Sequence, residues 1–92
     1  MARRERRLRI HALFRTEAMS LRGIAEDFDG RLSRILDVAR RFPEEAILCP
    51  WTGWSVVFCE QVGFPATLWY RHDDEEVEAM SIKSFPANRR RF

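Results

Sequence analysis

Nine apolar residues spaced four and three apart, Phe14, Ala18, Leu21, Ala25, Phe28, Leu32, Ile35, Ala39 and Phe42, run through the first half of the chain without a break in phase. That spacing draws one apolar stripe along an α-helix, and Ile24, Leu36 and Val38 widen it. The stripe has to be covered, so residues 16–42 are read as helical and facing a core. Thr16 is placed to cap the first helix, with Glu17 in the first turn against the positive end of the helix dipole. A single helix of that length would span about 40 Å, more than a chain of 92 residues covers readily. Asp29-Gly30 offers a break, since glycine suits the positive-φ position after a helix end. The expectation is therefore a helical hairpin turning at Asp29-Gly30, with one continuous helix or a coiled-coil dimer as the alternatives. Pro43 closes the helical region, because the residue before a proline avoids the α basin.

The hydrophobic period changes on both sides of this stripe. Upstream, Arg7-Leu8-Arg9-Ile10-His11-Ala12 alternates polar and apolar residues, which predicts a strand over residues 8–13; a helix starting near Arg3 is the alternative. Downstream, Ile47-Leu48-Cys49 is a short apolar run and Pro50-Trp51-Thr52-Gly53 reads as a turn. Residues 54–62 are rich in β-branched and aromatic side chains and form a strand broken by Gly63-Phe64-Pro65. Residues 67–72 make the next strand, Asp73-Asp74-Glu75-Glu76 the turn, and residues 77–85 the last strand. There Val77, Ala79, Ser81, Lys83 and Phe85 are expected on one face, and Glu78, Met80, Ile82 and Ser84 on the other. The order predicts one α+β domain over residues 1–92, β-α-α-β-β-β, with a small antiparallel sheet and the helical hairpin packed on one face.

Charge is unevenly spread. The net value is only +2, yet residues 1–22 hold seven Arg against two Glu, and the cations of residues 71–92 mostly follow the acids of residues 73–78. Both ends are basic around a neutral or acidic waist. If the two ends meet on one face, that face attracts phosphates or an acidic partner protein; two solvated ends are the plainer reading. A content of 46% hydrophobic and 12% aromatic residues argues against disorder. No apolar run is long enough to span a membrane, and the basic start lacks the apolar core of a signal peptide. A cytoplasmic protein without membrane contact is expected. Cys49 and Cys59 match no zinc-ligand spacing and are read as reduced thiols on strands. With no glycine-rich phosphate loop either, neither a metal site nor a cofactor is expected. The acids of residues 73–76 read as a soluble turn.

The stretch Leu68-Trp69-Tyr70-Arg71, followed by Glu76-Val77-Glu78 and then by the basic tail Arg89-Arg90-Arg91, resembles the last two strands and the Arg-rich end of the RelE/ParE toxins of type II toxin–antitoxin systems. Thr16-Glu17-Ala18 through Leu21-Arg22-Gly23-Ile24-Ala25-Glu26 resembles the family's first helix, and the element order fits as well. The resemblance is one of pattern across most of the chain. It implies a protein that pairs with an antitoxin and inhibits either the ribosome, with mRNA as the ligand cleaved, or DNA gyrase, by binding alone. Residue by residue, it implies that Arg71 holds a phosphate, that His72 is the acid–base candidate beside it, and that Lys83, Arg89, Arg90 and Arg91 supply further cations. Tyr70, the tyrosine of the Tyr-Arg pair, joins them as a binding residue. Phe92 stands where several ribosome-dependent members carry a catalytic tyrosine, and phenylalanine can neither give nor take a proton, so binding is favoured over an mRNA endoribonuclease.

Each of these residues has a plainer reading. His72 is an exposed strand-end residue, and Arg71 pairs with Asp73 or Glu75 in a surface contact worth under about 1 kcal/mol. Trp69 and Tyr70 point to opposite faces, so one of them is core. Two other functions compete. One is a non-enzymatic inhibitor, carried by a phage or mobile element, that binds a host protein complex. The other, weaker one is a helix-turn-helix DNA-binding protein whose first helix would be residues 20–26.

Overall fold

The computed structural model describes residues 6–84. Its fold class is α+β. Strand β1 (Arg7–Ile10) leads into helix α1 (Ala12–Ser20) and helix α2 (Phe28–Arg41); β2 (Ile47–Leu48), β3 (Ser55–Phe58), β4 (Ala66–His72) and β5 (Glu76–Ser84) follow. The five strands form one sheet in the order β1-β5-β4-β3-β2. Strands β2 to β5 are successive antiparallel neighbours, whereas β1 lies parallel to β5. The sheet is thus mixed and one strand wider than expected. Tight turns force antiparallel pairing between consecutive strands, but β1 reaches β5 through the helices, which frees its direction. The extra strand is the two-residue β2, which the sequence marked only as an apolar run.

Both helices cover the same face. Phe14 from α1 and Phe28, Leu32 and Leu36 from α2 are buried against Ala66 and Leu68 of β4 and Ala79 and Ile82 of β5. Fully burying each large member contributes about 1.5–3 kcal/mol, and Phe28 and Phe64 add a tilted ring contact with centroids 5.2 Å apart. The two helices are there, but their boundaries are not where capping chemistry placed them. Helix α1 starts four residues before Thr16. His11 caps it, its Nδ1 accepting the Leu13 N–H at 3.1 Å. The break lies over residues 21–27, where residues 22–24 make a single 3₁₀ turn and Asp27 takes the left-handed conformation at φ 51°. Gly30 sits inside α2. A Cβ there would lie 2.6 Å from Asp27 Oδ1, so the Asp27 carboxylate packs close over this glycine, which is not a turn residue. A helix-turn-helix start over residues 20–26 is excluded by the same break.

Strand β3 is shorter than expected, since residues 59–62 form a 3₁₀ turn that ends at Gly63 with φ 82°. The last hairpin carries the largest revision. Trp69 faces Ser81 but Tyr70 faces Ala79, so Met80 is an extra residue, a β-bulge. A bulge inverts the alternation beyond it. Val77 and Ala79 point to the helices as expected of one face, but Ser81 and Lys83 point away from them and Ile82 points in.

Candidate functional site

The face of the sheet turned away from the helices gathers most of the charge on its strands. In register order it carries Arg7 and Arg9 of β1, Glu76 and Glu78 of β5, and Arg71 of β4. Without the bulge at Met80, Lys83 would point under the helices; with it, Lys83 pairs in register with Thr67 and joins Arg71 on the outer face. Trp69, half-buried, lies on this face between the two cations.

Each cation rests on a carboxylate that is more buried than itself. Arg7 Nη2 donates to Glu76 Oε2 at 3.0 Å, and Arg9 Nη1 reaches Glu76 Oε1 at 3.5 Å. Arg71 lies opposite Glu78 across the hairpin and holds its Oε1 from Nε at 2.9 Å and Nη2 at 2.8 Å. Its partner is therefore Glu78 and not Asp73 or Glu75, because those acids sit in the turn and not across the strand. The side chains of Arg71 and Glu78 are 59% and 15% exposed; the guanidinium is presented outwards and the acid supports it from below. Lys83 pairs with Glu17 of α1 in the same manner.

Glu17 does more than neutralise Lys83. Strand β1 covers the outer edge of β5 only as far as Ala79, and α1 runs on beside the remainder. There the Glu17 carboxylate accepts the backbone N–H of Ile82 at 3.0 Å and the Ser81 hydroxyl at 2.7 Å, replacing the missing strand partner. Burial pushes this carboxyl up, but the Lys83, Ser81 and Ile82 donors outweigh it and hold the group below its ordinary value. Asp73 is likewise lowered, chiefly by the backbone N–H groups of Glu75 and Glu76 that cap its Oδ1 at 2.7 and 2.8 Å. Asp73 thus builds the turn of this hairpin.

Two expected site residues are not on this face. Tyr70 is 1% exposed; its hydroxyl donates to the Pro43 carbonyl at 2.8 Å, and burial pushes its pKa up to about 12. It ties β4 to the end of α2 and cannot touch a ligand on the outer face. His72 follows Arg71 directly, and neighbours on a strand point to opposite faces. His72 accordingly lies on the Tyr70 side, with ring centroids 6.2 Å apart, and not beside the Arg71 guanidinium. An acid–base pair acting on one phosphate cannot be built from these two side chains as they stand. Arg89, Arg90 and Arg91 lie outside the described residues. Arg7 and Arg9 are the members that the sequence did not single out, although their alternation with Leu8 and Ile10 had already put them on one face.

Among the described residues, no group of three His, Cys, Asp or Glu side chains is placed to hold a metal ion, and no helix is long and apolar enough to cross a membrane. Both cysteines are free thiols. Cys59 is buried and pushed up to about 11 by that burial, whereas Cys49 is lowered by hydrogen bonds from Thr52 and Trp51. Comparison of the chain with protein-family models, with curated proteins and with solved structures found no match in any of the three.

Proposed function

We propose that this chain is a toxin-type inhibitor of RelE/ParE character that acts by binding its target, the ribosome or gyrase, through the basic face of its terminal hairpin, and not by cleaving RNA. The observation that carries this reading is the set of four outward cations, Arg7, Arg9, Arg71 and Lys83, each propped on a carboxylate more buried than itself, with Trp69 between the last two. Such propping fixes side chains that would otherwise lose rotamer freedom on binding, so less is lost when a target docks. The order of strand, two helices and antiparallel strands adds support at the level of the fold. Binding is preferred to cleavage because Arg71 and His72 face apart and Tyr70 is buried. In this reading the charged groups give orientation and association rate, and binding weakens as salt rises.

Inducible expression tests the proposal. The chain is expected to arrest growth, and an Arg9→Gln/Arg71→Gln pair, which keeps a hydrogen-bond donor for each acid, is expected to relieve the arrest while the protein remains folded. Growth unaffected by the wild-type chain sinks the toxin reading. The second reading, an inhibitor directed at some other host protein complex, would then be tested by recovery of one stoichiometric partner free of nucleic acid.

A further inference from the structure

An apolar groove of about 560 Å³ separates α2 from the β2–β3 side of the sheet. Its floor includes the buried Cys59, Phe64 and Tyr70, and its rim includes Val38, Phe42, Ile47 and Val62. All four rim side chains are exposed. The groove exists because α2 has a second apolar row. Its first, Phe28, Leu32, Leu36 and Ala39, is buried; Val38 and Phe42 are exposed along the groove, and Ile35 and Ala39 lie between the two rows and line it as well. Clusters of exposed apolar side chains of this kind mark interaction surfaces.

The ends of the groove differ in charge. Arg31 and Arg34 line the end nearer the start of α2, and Glu45 lines the end just beyond its last turn. Arg31 is committed within the chain: it donates to the Gly63 carbonyl at 2.6 Å and lies over the Phe64 ring at 5.3 Å. Arg34 is not tied down in that way. Its side chain is 71% exposed and meets Asp27 Oδ2 only at 3.8 Å. From Arg34 to Phe42 the helix rises about 12 Å. A two-fold axis midway between Arg34 and Glu45 therefore sets each Arg34 opposite the other copy's Glu45, with the Val38 and Phe42 rows packed between them. A surface that is cationic at one end, apolar in the middle and anionic at the other is complementary to itself under such a rotation.

We infer that a second copy of this chain covers the groove, giving a two-fold dimer with antiparallel α2 helices and an Arg34–Glu45 pair at each end. The dimer face is distinct from the basic sheet face, and its test in purified protein needs no target, so it stands or falls separately from the toxin reading. Sedimentation equilibrium of the full chain in 0.1 M salt, from micromolar to about 200 μM, reads the association directly. Val38→Glu is expected to give a monomer with an unchanged circular dichroism spectrum. Arg34→Glu and Glu45→Arg should each weaken dimerisation about tenfold or more, and the charge-swapped double variant should recover most of the loss, as a cross-interface pair requires. A wild-type chain that stays monomeric throughout the range overturns the inference. So does a double variant as weak as either single one, or a monomeric wild type whose groove instead takes up an acidic amphipathic peptide.

Discussion

The two edge strands of the sheet are finished in opposite ways. Strand β1 is a charged edge: Arg7 and Arg9 alternate with Leu8 and Ile10, both arginines are held by Glu76, and α1 follows to seal the rest of β5 through Glu17. Strand β2 is two residues long, Ile47 and Leu48, with both side chains exposed and Trp51 in the turn beyond it 90% exposed. Charge on an edge strand is a familiar defence against unwanted pairing, and an apolar edge lacks it. The helices follow the same division. They bury the β1-β5-β4 half of the sheet and leave a groove over the β3-β2 half. One half of this small domain is devoted to stability, while the other leaves apolar surface for association.

The largest test of that division is truncation of apolar side chains in each half. Leu68→Ala, in the covered half and fully buried, is expected to cost about 2–5 kcal/mol in urea unfolding. Val62→Ala and Trp51→Ser, in the open half, should each change monomer stability by less than about 0.5 kcal/mol. Comparable losses at the two kinds of site would show that the open half is part of the folding core.

Next in size is the seal on β5. Glu17→Ala strips the Ile82 N–H, the Ser81 hydroxyl and Lys83 of their shared acceptor, and is expected to cost about 1–3 kcal/mol. Glu17→Gln keeps an acceptor and should cost less. The same contact has a pH signature. The folded-state carboxyl is held below its ordinary value of 4.5, so its contribution is fully present above that value and disappears as pH falls below it towards the folded-state value. Subtracting the pH–stability profile of Glu17→Gln from that of the wild type should isolate this acid-side loss; superimposable profiles would show that the carboxylate is not the seal.

How far these features were legible in the sequence follows from the range of the interactions involved. The four–three stripe was sufficient to place two helices on one face, because helical periodicity is local. It could also have corrected the helix start: Phe14 belongs to the stripe, so the helix had to begin before Thr16. The break was misplaced because Gly30 was read as a turn residue, whereas it lies inside α2 with the Asp27 carboxylate packed close to it. The basic face was half legible. Charge at both ends pointed to a shared surface if the ends met, and the pairing of β1 with β5 brings Arg7 and Arg9 beside Glu76 and Glu78. What no local pattern revealed was the bulge at Met80, which depends on the partner strand and decides the side on which Lys83 lies. Glu17 was legible as a helix residue and illegible as a strand cap, since Ile82 is 65 positions away.

A smaller effect probes the joint between the two halves. Tyr70 reaches from the middle of β4 to the Pro43 carbonyl, just where α2 gives way to the open side. Tyr70→Phe leaves ring packing intact and removes one buried hydrogen bond, so a loss of about 1 kcal/mol is expected. A neutral result would mean that the Pro43 carbonyl finds a substitute donor and that the hydroxyl does not fix the chain's exit from α2.

The smallest expected change in stability is the one most useful for function. Arg71→Gln exchanges an ion pair at the surface for a hydrogen bond from an uncharged amide to the Glu78 carboxylate, and exposed pairs contribute about 0.2–1 kcal/mol. The loss should therefore fall at or below the low end of that range, and shrink further at high salt. If the cation serves binding, the same substitution paired with Arg9→Gln removes two of the four outward charges and the growth arrest with them, in a protein that unfolds almost as the wild type does. A stability loss as large as that of Glu17→Ala would instead make Arg71 part of the structural half, and the basic face would then be a brace for the hairpin, not a surface prepared for a target.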